Sequence, residues 1–70
     1  MRNVRKFGRL REQIKAVFGT QKAFADAMGM HVATLNLKLN SKAEWTMGEI
    51  EKAISLLGVS GNEIKEYFFY

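Results

Sequence analysis

The stretch Thr20-Gln21-Lys22-Ala23-Phe24-Ala25-Asp26-Ala27-Met28-Gly29-Met30-His31-Val32-Ala33-Thr34-Leu35-Asn36-Leu37-Lys38-Leu39-Asn40 decides how the chain folds. It reads as two short helices joined by a tight turn. The Thr20 hydroxyl is placed to accept a hydrogen bond from an early backbone N–H, which starts the first helix. Phe24, Ala25 and Met28 then fall at i, i+1 and i+4, on one apolar face. Gly29 stops that helix, because glycine enters the left-handed region that a β-carbon penalises. His31 is placed to cap the second helix, whose Leu35 and Leu39 lie one turn apart. A small residue where helices must approach and a glycine where the chain must reverse are the steric requirements of a helix-turn-helix.

Outward from this centre the pattern stays helical. Residues 4–18 predict a helix whose Phe7, Leu10, Ile14, Val17 and Phe18 form one apolar stripe, with Asn3 as cap and Gly19 past its end. On the second helix of the central pair, Leu35 and Leu39 face the core. Ala33, Asn36, Leu37 and Asn40 share the opposite side, and Val32 lies between the two. Lys38 falls beside the core face, so its stem is expected to pack while its ammonium reaches solvent or phosphate. After the connection Ser41 to Trp45, Thr46-Met47-Gly48-Glu49 is a capping box that opens a helix with Ile50, Ala53, Ile54 and Leu57 inward and Gly58 at its end. Ser60-Gly61-Asn62-Glu63 is a second capping box, and Ile64, Tyr67 and Phe68 follow as an inward face. No strand pattern, repeat or linker interrupts the series. The expected fold is all-α: a compact bundle of five helices in a single domain over residues 1–70.

Composition narrows the function. Without cysteine there is no disulfide or thiolate metal site, and one histidine leaves no visible metal-binding set. His31 has no acid or nucleophile at catalytic spacing, and the six glycines stand singly rather than in a phosphate-binding loop. The chain is therefore expected to be no enzyme, to need no cofactor and to hold no metal. No apolar run approaches the roughly 18 residues of a membrane span, so a cytoplasmic protein with no membrane contact is expected. Charge is uneven. Residues 1–40 carry Arg2, Arg5, Lys6, Arg9, Arg11, Lys15, Lys22 and Lys38 against Glu12 and Asp26; residues 41–70 carry three lysines against five glutamates. With a net charge of +4 overall, the positive excess sits in the half that holds the two short helices.

Gln21, Ala25, Gly29, Leu35 and Asn40 stand at the spacing that marks the Xre family of phage repressors and Cro proteins, and the chain resembles that family. The ending Leu37-Lys38-Leu39-Asn40 is most similar to short repressor-like proteins of phages from Gram-positive bacteria. The resemblance implies a lambda-repressor-like DNA-binding domain and a transcriptional regulator bound to a double-stranded DNA operator. The second helix of the pair would then lie in the major groove. Gln21 matches the family position that grips a phosphate. Asn36 is suited to adenine, and Val32, Ala33 and Thr34 to thymine methyls, with His31 and Leu37 beside them. Asn40, Ser41 and Lys42 would meet the backbone beyond the helix.

That face carries no arginine, glutamine or glutamate, which leaves direct base readout thin and keeps a different class of function open. The same fold would serve a protein-binding modulator, an antirepressor or an antitoxin, whose anchors would be Leu37, Trp45 and Phe69. The aromatic end of the chain adds an expectation of its own. Ile64, Tyr67 and Phe68 fill the inward face of the last helix, so Phe69 and Tyr70 are left to form a homodimer contact or to fold back on the core.

Overall fold

The structure, a computed structural model, describes residues 7–68. Five α-helical segments are present in this range: α1 (Gly8–Phe18), α2 (Gln21–Met28), α3 (Val32–Leu39), α4 (Met47–Leu57) and a short α5 (Ile64–Phe68) behind a 3₁₀ turn, Gly61–Glu63. No strand occurs among the described residues. The chain is all-α, and its Cα radius of gyration of 11.3 Å is that of a compact body, for which chain length gives about 11 Å.

Local chemistry sets the ends of these helices. The Thr20 hydroxyl accepts from the Ala23 N–H at 3.1 Å and opens α2. Gly29 closes α2 in the left-handed region at φ 77°, and the next N–H, that of Met30, reaches back to the Ala25 carbonyl at 3.0 Å. At α4 the capping box is complete: the Glu49 N–H donates to the Thr46 hydroxyl at 3.1 Å while the Thr46 N–H donates to Glu49 Oε1 at 3.0 Å. Gly58 ends α4 at φ 69°. The second capping box, Ser60 with Glu63, is also formed, but it opens the 3₁₀ turn rather than α5 directly.

One core joins all the helices. Leu10 and Ile14 of α1, Phe24 and Ala25 of α2, and Leu35 and Leu39 of α3 have no exposed surface, and Ala53 of α4 is equally closed. Tyr67 and Phe68 bring α5 onto the same core, and Arg9 lies over the Tyr67 ring at 5.7 Å. Arg11 ties α1 to the end of α3, donating to the Leu39 carbonyl and to Asn40 Oδ1, each at 2.8 Å. Lys52 of α4 reaches the Met28 carbonyl at 3.4 Å, a cation at the C-terminal end of α2 where the helix dipole favours it.

Several expectations change. The first helix starts at Gly8, with Phe7 at its cap in left-handed backbone (φ 59°). The expected start at residue 4 and the Asn3 cap lie outside the described residues. Val17 is not core: it is 47% exposed, while Phe18 beside it stacks edge-on against Phe24 at 5.3 Å. An eleven-residue helix against a small core buries a narrow stripe, and Val17 falls at its margin. His31 stands at the start of α3 without a side-chain cap.

Candidate functional site

α3 is short, and its two sides differ sharply. Leu35 and Leu39 are fully buried. Val32, Ala33, Asn36 and Leu37 are exposed on the other side, with Leu37 at 47%. The one charged residue of α3 is Lys38, and it turns inward: only 7% of it is exposed. Its ammonium donates to the Glu44 carbonyl at 2.8 Å and pairs with Glu49 Oε1 at 3.0 Å. The expectation that Lys38 reaches solvent or phosphate is therefore corrected. A buried ammonium needs a counter-charge and acceptors, and the start of α4 supplies both.

Glu49 is the hub of this arrangement. Partial burial works to raise its carboxyl pKa, but the hydrogen bond from the Thr46 N–H, followed by the hydrogen bond and charge of Lys38, outweighs burial and holds it below the ordinary glutamate value. The result is an outer α3 face with no formal charge on it. Its surface is two aliphatic side chains, an alanine and an amide.

The other residues expected to act with this face differ in exposure and in the bonds they make. Thr34 is half-buried on the flank of α3. Asn40 gives its side-chain oxygen to Arg11, so it braces α1 against α3. Ser41 and Lys42 are exposed past the helix end, and Ser41 holds left-handed backbone at φ 63°. Gln21 is half-buried on α2 and lines a recess with Arg11, Lys15 and Thr20. His31 is exposed at the turn. Among the described residues no three histidine or acidic side chains stand together as a metal site, and no helix is long and apolar enough to cross a membrane.

Trp45 meets partners that its sequence neighbourhood does not announce. Its ring lies 6.2 Å from Phe7 and 5.1 Å from Phe68, edge to face in both pairs. Phe7 and Phe68 read individually as core residues, and nothing local signals that the two ends of the described chain meet on this indole. Phe69 and Tyr70, the expected dimer contact, lie outside the described residues.

Comparison with known proteins changes the functional reading. The chain is similar to the solution structure of the modulator of repression (MOR) of the temperate bacteriophage TP901-1 from Lactococcus lactis: 41% of residues are identical, 91% of this chain and 86% of that chain are covered, and the TM-score is 0.81. No curated protein matches the chain. The similarity to a modulator of repression overturns both the assignment to Xre-type repressors and the expectation of a DNA-binding transcriptional repressor reading an operator. The physical reason lies in the residues that carried that resemblance. Ala25 and Gly29 record how two helices pack and turn, and they say nothing of what the outer face touches. Residues 4–70 match the family described as "Protein of unknown function (DUF739)", and the chain belongs to that family.

Proposed function

We propose that this protein is a modulator of repression that acts by binding a repressor protein, with the outer face of α3 as the contact surface. The observation that carries the reading is the inward Lys38. Protein–DNA contact runs largely on cations held against phosphates, and α3 keeps its only cation inside, paired with Glu49. An uncharged face of aliphatic and amide groups suits a protein surface, where charged residues are depleted at the centre of contact. In this reading α2, the turn at Gly29 and α3 form a helix-turn-helix scaffold turned to protein recognition, within a single module spanning residues 1–70. Val32, Ala33, Asn36 and Leu37 make the contact, and Leu37 is its anchor. The similarity to the MOR protein supports the same reading.

Calorimetric titration of the protein into the purified repressor from the same genome tests it. Wild type binds with a dissociation constant below about 1 μM, a free energy near −8 kcal/mol. Leu37→Glu removes binding while the helical circular dichroism stays unchanged. Equal affinity of wild type and Leu37→Glu would refute the α3 surface. Absence of any binding by the wild type would refute the function.

A further inference from the structure

Where α1 begins, α5 ends and the α3–α4 connection passes, the surface opens into a groove of about 350 Å³. Phe7, Trp45 and Phe68 line it with Ile50, and Glu44 is exposed at its rim. The three rings pack on one another edge to face, with Phe7 and Phe68 6.5 Å apart. The rim is held in place, because the Lys38 ammonium bonds the Glu44 backbone carbonyl at 2.8 Å and leaves the Glu44 carboxylate outside that bond. The charge of Lys38 is taken up by Glu49 at 3.0 Å. Among the described residues, Glu44 is then the one charged side chain lining the groove. Trp45 Nε1 adds an independent observation: the atom is buried and, among the described residues, donates to no acceptor.

We propose that this groove is a second docking site, and that its occupant is an arginine or lysine side chain of a partner protein. Three features select that chemistry. Aromatic rings attract a cation, and the methylene stem of a long basic side chain packs on the same rings. The Glu44 carboxylate attracts the charged end and repels an acidic one. The peptide backbone that delivers the side chain brings carbonyl acceptors to a groove lined by an indole whose N–H has none among the described residues, and a buried donor gains most from such a partner. A purely apolar occupant would bury Glu44 and leave the indole unpaired. The site is separate from the α3 face, and its test does not depend on the identity of the partner.

The chain has a single tryptophan, so the indole N–H of Trp45 gives one NMR signal in the full-length protein. N-acetyl-arginine amide is the probe, with N-acetyl-citrulline amide as the neutral isostere and N-acetyl-norleucine amide as the apolar control. The arginine compound moves the indole signal saturably, and the citrulline compound moves it far less. Glu44→Gln, an exposed change that leaves the backbone bond to Lys38 in place, weakens the arginine compound by about two- to fivefold, the worth of an exposed ion pair. An equal response to citrulline or an unchanged affinity in Glu44→Gln would overturn the proposal. So would a stronger response to norleucine, which would assign the groove to an apolar side chain. A signal that shifts with protein concentration alone would assign it to a second copy, and no shift with any probe would leave it a packing defect.

Discussion

Gly29, which closes α2, and Ser41, just past the end of α3, both hold left-handed backbone, at φ 77° and 63°. A β-carbon at Gly29 would meet only the Lys52 ammonium, at 4.0 Å, so Gly29→Ala has room and its cost is conformational. It should destabilise by about 1–2 kcal/mol, seen as a lower denaturation midpoint with an unchanged slope. Ser41 bears that strain in the wild type. Its position follows from how α3 ends: the Lys42 N–H reaches the Leu37 carbonyl at 2.8 Å and the Ser41 N–H reaches Lys38 at 3.2 Å, a closure that favours glycine between them. Ser41→Gly should therefore stabilise by about 0.5–1 kcal/mol, the relief of strain less the added freedom of the unfolded chain. A lower melting temperature for Ser41→Gly would contradict this. Gly29 was legible in the sequence because glycine after an apolar helical face is itself the signal. Ser41 was not, since serine is ordinary in a connection and its strain is imposed by carbonyls three and four residues before it.

Among the elements, α3 and α4 are coupled through Lys38, Glu49 and Thr46 rather than by apolar contact alone. Glu49→Ala keeps the Thr46 hydroxyl bond to the backbone of α4 but loses the carboxylate that accepts from the Thr46 N–H and leaves Lys38 without its counter-charge, and should cost about 1–3 kcal/mol. Lys38→Met removes charge and desolvation together and should cost less than half as much, because an aliphatic chain of similar length fills the same space. The ordering of the two melting temperatures checks this. Glu49 also gives the fold an acid dependence. Its folded pKa lies below the unfolded value, so the stability it adds is complete above the ordinary glutamate pKa and is lost as pH falls through the folded one. Glu49→Gln should flatten the denaturation midpoint against pH between about 5 and 3. The capping boxes and the α2–α3 turn could be read from the sequence because each is a local pattern within five residues. The inward Lys38 could not: its position at the edge of the α3 apolar stripe allows either direction, and the residue that decides is eleven positions further on, in α4.

For the whole molecule, local rules carried the all-α architecture and most of the core, including Phe24, Leu35, Ile50 and Ala53. The function was harder to read, because one scaffold of two packed helices serves either DNA or a protein, and the difference lies in the charge left on a single face. The +6 excess of residues 1–40 pointed to nucleic acid. In the folded chain Lys38 is neutralised inside and Arg11 braces the end of α3, so neither of these two cations adds charge to the outer face of α3. An uncharged interface should bind its partner with a dissociation constant that changes less than about threefold between 50 and 300 mM salt, where phosphate contacts would lose orders of magnitude. The most direct measurement of the central claim is the fluorescence anisotropy of a labelled operator titrated with its repressor, with and without this protein. The account predicts that the repressor's binding curve shifts when the protein is present, that Leu37→Glu abolishes the shift, and that the protein alone leaves the anisotropy of the DNA unchanged. A repressor curve that does not move, together with salt-sensitive binding of the operator by this protein alone, would contradict it.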